Sequence, residues 1–330
     1  MIDGLPETVL HSLLLELDLY TLASVEATCT SLKKSVRSLA ITGAVITSPS
    51  SSCFASPANT IHFRKFVTWL KEHAPQFRSV TVAEDDPEAA GAIGIALGRA
   101  RNLTSLVTST PTTSGWKVPS CMMYACCEWD LPRVETLLLG RGSTSPQFLQ
   151  AYSKTLRSLA ITVSSTLQLR ETLDLCLPEV VDLRLTATCV MSCEGTRGIF
   201  RKLRYLTVCN LDFRSSLFRE GPPELESLMM IGCRNVQNTE LPQIPINVHL
   251  GIHGMIFPDG MDVRHLQELS IHHLSNRVPS MAFPHLRRFH ASYSDISMNI
   301  AFVPKIWAVT IGQQCTGDKS WLLKVPTVFL

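Results

Sequence analysis

From residue 77 onward one arrangement of apolar and variable positions keeps returning: apolar, two variable, apolar, one variable, apolar. It reads "FRSVTV" from Phe77, "LTSLVT" from Leu103, "VETLLL" from Val134, "LRSLAI" from Leu156, "VVDLRL" from Val180 and "LRYLTV" from Leu203. It continues as "LESLMM" from Leu225, a weaker "PINVHL" from Pro245, "LQELSI" from Leu266, "LRRFHA" from Leu286, "IWAVTI" from Ile306 and "VPTVFL" from Val325. From Val134 the steps are 22, 24, 23, 22, 20, 21, 20, 20 and 19 residues. A period this narrow predicts a solenoid with one short strand per turn. Within each strand the apolar positions turn inward and the intervening ones outward.

The stretches between strands change along the chain. "TIHFRKFVTWLKEHAP", "EAAGAIGIALGRARN", "SPQFLQAYSKT" and "LQLRETLDLCLP" have helical spacing, whereas "IFPDGMDVRH" and "VPSMAFPH" are short and carry proline. Helices are therefore predicted on the convex side of the first half, and turns or single 3₁₀ turns in the second. Curvature is expected to change with them. The repeat resembles the leucine-rich repeat, which implies an α/β fold with a curved parallel sheet. About eleven to twelve repeats are expected over residues 61–330. Residues 43–60, "GAVITSPSSSCFASPANT", read as a joint, with one strand expected at Ala44–Thr47. In "PTTSGWKVPSCMMYACCEWD" the Met and Cys positions read as core rather than as a metal site.

Residues 1–42 follow another grammar. Leu10, Leu13, Leu14 and Leu17 recur at helical spacing behind Leu5-Pro6. Thr21 is placed to cap a second helix with Leu22, Val25 and Cys29 on its inner face. Thr30 or Ser31 is placed to cap a third, carrying Leu32, Val36 and Leu39. Three helices this short cannot bury their apolar faces on one another alone, so a neighbouring domain or a partner must cover them.

This stretch resembles an F-box. Leu5-Pro6, Val9-Leu10, Leu13-Leu14, Leu17-Asp18, Leu22 and Ala27-Thr28-Cys29 take the family's places at matching spacing. "LESLMMIGCRNV" likewise resembles the cysteine-containing leucine-rich repeats of F-box proteins. The resemblance implies a substrate-recognition subunit of a Skp–cullin–F-box ubiquitin ligase. Such a chain docks a Skp-type adaptor, and through it a cullin, and is not itself an enzyme. The adaptor would meet Leu5, Pro6, Val9, Leu10, Leu13, Leu14, Leu17, Leu22, Val25, Cys29 and Leu32. Two other readings stay open. The same head and arc could assemble a stable complex without ubiquitin transfer, or the first helices could be only an N-terminal cap.

A protein substrate is expected on the concave face of the repeats. The outward positions there are Arg184, Arg204, Tyr205, Met229, Ile231, His249, His272, Arg287, Arg288, His290 and Trp307. Arg, Tyr and Trp are the side chains that dominate interfaces, whereas the outward positions of the first half are mostly Ser and Thr. The basic and histidine character points to an acidic or phosphorylated segment. "KVPTVFL" ends on a strand-like repeat, so a partner or second copy is expected to cover that edge.

Composition narrows the rest. Apolar residues make up 45% and charged residues 18%, enough for a sizeable core, and the net charge of +2 favours neither nucleic acid nor membrane as partner. The opening residues do not form a secretory leader. Eleven scattered cysteines without such a leader suit a reducing compartment, cytoplasmic or nuclear. No P-loop, GxGxxG, HExxH or GxSxG is present, and no cofactor is implied. Cys189 and Cys193 stand four apart without a second pair, too few for structural zinc. Seven of the ten histidines fall between His249 and His290. They read as a polar surface first and a metal site second.

Overall fold

The computed structural model describes residues 6–47, 57–83, 87–108, 131–141, 146–193, 199–213, 225–236, 246–258, 261, 263–274, 283–295, 304–317 and 319–329. The chain divides into two compact units, Met1–Ile161 and Thr162–Leu330.

The first unit opens with three helices, α1 (Glu7–Leu15), α2 (Leu19–Thr28) and α3 (Thr30–Ser38). Their caps differ from those the sequence predicts. Asp18, not Thr21, closes the start of α2: its carboxylate accepts from the Thr21 backbone N–H at 3.0 Å and from the Thr21 hydroxyl at 2.6 Å. These two bonds, the hydroxyl's first, hold the Asp18 pKa below its ordinary value. A carboxylate is the stronger acceptor at the positive end of a helix. Cys29 occupies the cap position of α3 and makes no side-chain cap bond. Leu14, Leu19, Leu22, Leu32, Val36 and Leu39 form the interior of this head.

The rest of the first unit is solenoidal. Strand β1 (Ala44–Thr47) pairs in parallel with β2 (Ser79–Ala83), so the sheet begins inside the stretch read as a joint. Beyond β2 come β3 (Ser105–Thr108), β4 (Thr136–Arg141) and β5 (Ser158–Val163), each beside its predecessor; the unit boundary falls within β5. Helices α4 (Pro57–His73), α5 (Pro87–Leu97) and α6 (Pro146–Ala151) supply the crossovers that parallel strands require. The insert "PTTSGWKVPSCMMYACCEWD" lies outside the described residues.

The second unit begins with α7 (Thr166–Leu173), capped by Ser165, whose hydroxyl accepts from the Gln168 N–H at 3.2 Å. Eight strands follow: β6 (Asp182–Ser192), β7 (Tyr205–Asp212), β8 (Leu225–Ile231), β9 (Ile246–His253), β10 (Glu268–His272), β11 (Arg288–Ser292), β12 (Ala308–Ile311) and β13 (Thr327–Phe329). They pair in parallel and in chain order. After α7 the described residues contain no α-helix, and a 3₁₀ turn spans Ser320–Lys324. All twelve repeat registrations thus coincide with strands. One residue per turn, Leu206, Leu228, Leu250, Leu269, Phe289 and Val309, stacks beneath the sheet at 0–1% exposure.

A second ladder runs just past the strands. Gly232, Gly254, His273 and Tyr293 each follow the last residue of their strand, and Asn210 takes the equivalent place within β7, all with φ between 50° and 63°. Asn210 fixes its turn by donating to the Ala187 carbonyl at 3.0 Å. A Cβ at Gly232 would meet Asn210 Oδ1 at 2.7 Å. Gly232→Ala is therefore expected to destabilise the second unit by about 1–2 kcal/mol through backbone strain, plus the displacement of Asn210. Denaturant unfolding measures it; a neutral result would show that this turn relaxes.

Candidate functional site

Two surfaces collect the residues the sequence singles out. The first lies on the helical head. Pro6 is exposed, Val9 and Leu13 are 44% and 54% exposed, and Leu10 and Leu17 are half-buried, all at the i, i+3, i+4, i+7 spacing of one helix face. Leu15 is also exposed. Leu14, Leu22 and Leu32 are interior, and Val25 and Cys29 are half-buried. Leu5 lies outside the described residues. The predicted set therefore separates into an outward stripe on α1 and a packed layer beneath it.

What holds the head in place is a buried polar knot that sequence reasoning missed. Glu26 on α2 accepts from Arg37 Nε of α3 at 2.8 Å and from Trp69 Nε1 of α4 at 2.7 Å. His73 Nε2 lies 2.7 Å from Glu26 Oε2, within ion-pair range but off the line of a hydrogen bond. The other ring nitrogen of His73 is 2.8 Å from the Trp69 carbonyl. Burial pushes the Glu26 carboxyl up, but the bonds from Arg37 and Trp69 and the charges of His73 and Arg37 outweigh it, and its pKa lies below the ordinary value. The available signal was the i, i+4 spacing of Trp69 and His73 on α4.

The second surface is the outward face of strands β6–β13. Register aligns it into rows. One row runs Asp182, Tyr205, Ser227, His249, Glu268, Arg288, Ala308. The next runs Arg184, Thr207, Met229, Gly251, Ser270, His290, Thr310, and a third runs Thr186, Cys209, Ile231, His253, His272, Ser292. Arg204, Arg287 and Trp307 sit one residue ahead of the first row, all exposed. The structure thus brings the eleven predicted residues onto one face of one unit.

It also changes their electrostatics. Arg184 meets Asp182 at 3.1 Å, Arg204 meets Glu226 at 3.2 Å, and Arg288 approaches Glu268 at 4.0 Å. Glu226 also accepts from the Tyr205 hydroxyl. Three of the four arginines expected to await an acidic partner already have carboxylates beside them.

The imidazoles form the denser cluster. His249 lies 3.0 Å from Ser227 Oγ and 3.4 Å from Ser270 Oγ. His290 Nε2 is 3.1 Å from Glu268 Oε1, and His272 bonds Ser292. The His272 ring centre lies 5.6 Å from that of His253, 4.7 Å from that of His273 and 5.3 Å from that of Tyr293. His273 and Tyr293 stack at 4.5 Å, both in the left-handed region. Sequence reading assigned no role to His253, His273 or Tyr293; the signal was their place beside Asn210, Gly232 and Gly254 once the repeats are aligned. A side chain of this size with φ near 50° costs about 1–3 kcal/mol unless its surroundings hold it there. Burial depresses the pKa of His249 and His253, and the neighbouring imidazoles add to it; Glu268 opposes it at His249.

Two buried thiols are held protonated by the same physics. Burial pushes Cys193 up to about 12 and Cys233 to about 11, so neither is a thiolate at neutral pH. Cys189 is exposed while Cys193 is buried, and the described residues hold no group of three or more His, Cys, Asp or Glu suited to a metal ion. No described helix is long and apolar enough to cross a membrane.

No family model matches the chain, and no curated protein matches it. Among solved structures, the crystal structure of a Rad7 and Elc1 complex in yeast aligns with 96% of this chain and 86% of that chain, at 14% identity and a TM-score of 0.43. Likeness at that level assigns no function.

Proposed function

We propose that the chain is the substrate-recognition subunit of a Skp–cullin–F-box ubiquitin ligase. In this reading α1–α3 dock the adaptor, and the outward face of β6–β13 holds a protein substrate. The observation that carries it is the division of labour on α1. Pro6, Val9 and Leu13 stay exposed while Leu14 packs inward with Leu22 and Leu32. A helical cap would bury its apolar stripe, whereas a docking helix leaves one open. The Glu26 knot supports the same reading, since it ties α2 and α3 to the first solenoid helix and gives the head a fixed pose.

The chain itself performs no chemistry in this scheme. It holds a substrate near a ubiquitin-loaded enzyme supplied by other subunits, and ordering two reactants lowers the barrier to their reaction. It would act in the cytoplasm or nucleus.

Purification of the intact chain from cells under proteasome inhibition tests the proposal. Co-purification of a Skp-type adaptor together with a cullin is the expected result. An adaptor without a cullin would favour a stable assembly subunit, and neither would make the head an N-terminal cap.

A further inference from the structure

We propose that the imidazoles of β9, β10 and β11 are the contact for a carboxylate-rich segment of a partner protein, and that they take up protons as that segment binds. The inference rests on the reading of this face as the substrate surface, and not on what docks to α1.

The paired arginines offer a further anion little. Arg184, Arg204 and Arg288 each face a carboxylate of the same surface, so a further anion meets charge that is already partly balanced. The imidazoles are differently placed. His253, His272 and His273 crowd within 5.6 Å and 4.7 Å of one another, ring centre to ring centre. From β8 they and His249 face Ser227, Met229 and Ile231, none of which carries a charge. From β10 the charged group is Glu268, which already lies 3.1 Å from His290. From β11 and the turn that follows it the titratable and charged groups are Arg288, His290 and Tyr293. Among the described residues of β8–β11 the carboxylates are Glu268 and Glu226, and Glu226 is paired with Arg204 and Tyr205.

A charged imidazole beside His249 or His253 raises the cost of protonating that ring. Burial of His249 and His253 acts in the same direction. A carboxylate laid against the cluster reverses the sign, since an opposite charge within about 4–6 Å favours the protonated form. Binding of the anion and binding of the proton then strengthen one another reciprocally.

Backbone conformation singles out the same place. The left-handed position of earlier turns holds Asn210, Gly232 and Gly254, residues that tolerate it. In the next two turns it holds His273 and Tyr293, stacked at 4.5 Å beside His272. The turn itself asks for Asn or Gly, so the two rings answer a demand of the surface and not of the fold.

The test is calorimetric titration of the full chain with a hexaglutamate peptide, in buffers of low and high ionisation enthalpy at one pH, repeated between pH 6 and 8. The expected result is net proton uptake and an affinity that falls about tenfold per pH unit for each proton taken up. His253→Gln with His272→Gln should lose both the affinity and the uptake while the circular dichroism spectrum is kept. Arg287→Ala should weaken binding but leave the uptake unchanged. Binding without proton exchange would overturn the proposal, as would no binding at pH 6 or a double variant that behaves like the parent. Adaptor capture by the same double variant reports separately on α1, so failure of one reading is distinguishable from failure of the other.

Discussion

Val9→Asp with Leu13→Asp should abolish capture of the adaptor while leaving the chain folded. Both side chains stand on the outward stripe of α1, at 44% and 54% exposure. If a partner covers them, each truncation forfeits about 1.5–3 kcal/mol of apolar burial. The two together amount to about 3–6 kcal/mol, at least about a hundredfold in affinity. The introduced carboxylates add a desolvation penalty on top. In the free chain the same changes touch solvent, so stability should move by about 1 kcal/mol or less. Leu14→Ala is the matching control. Leu14 is 3% exposed, and its truncation should cost about 2–5 kcal/mol of stability. Adaptor pull-down and thermal melting of the two variants separate the cases. A double variant that melts like Leu14→Ala would make the stripe an internal packing face and end the docking proposal.

That contrast also shows where sequence reading stops. The repeat was legible because each turn must bury the same few positions, so the apolar spacing survives along the whole sheet. Even the weak copy at Pro245 contains a strand, Ile246–His253. On α1 the same logic is ambiguous. Leu13 and Leu14 are adjacent on a helix, 100° apart, and both fit an apolar stripe around Leu10 and Leu17. Only the packed structure, in which α1 lies against α3, shows that Leu14 goes in and Leu13 stays out.

Polar partners were illegible for a related reason. Arg204 and Glu226 are 22 residues apart, and Glu26 and Trp69 are 43 apart. Such pairs exist only once the register of neighbouring turns is known. Had the repeats been aligned by register and not merely counted, Arg204 over Glu226 and Arg288 over Glu268 would have fallen into adjacent columns. The acidic-partner expectation, which rested on arginines and histidines together, would then have rested on the imidazoles.

Glu26→Ala should be the most damaging single polar substitution in the first unit. The carboxylate is 6% exposed and His73 is 2% exposed, so neither is screened by water. Removing it strips the Trp69 indole N–H of its acceptor and leaves Arg37 and His73 without the charge they face. Breaking a buried pair by deleting one member costs about 3–5 kcal/mol, because the other member stays desolvated. For a unit of this size that is a fall in melting temperature of about 6–20 °C. Glu26→Gln keeps an acceptor for Trp69 and should lose less. The pH dependence has a definite sign. The Glu26 pKa is depressed in the folded state, so its contribution is complete above the unfolded value, about 4.3, and disappears as pH falls through the lower folded value. Parent and Glu26→Ala should therefore differ by a constant amount from pH 7 down to about pH 5, then converge in acid. Chemical denaturation at a series of pH values tests both halves. A difference below about 1 kcal/mol at pH 7, or one that persists unchanged into acid, would mean the head is held by its apolar layer of Leu22, Leu32 and Val36 and not by the knot.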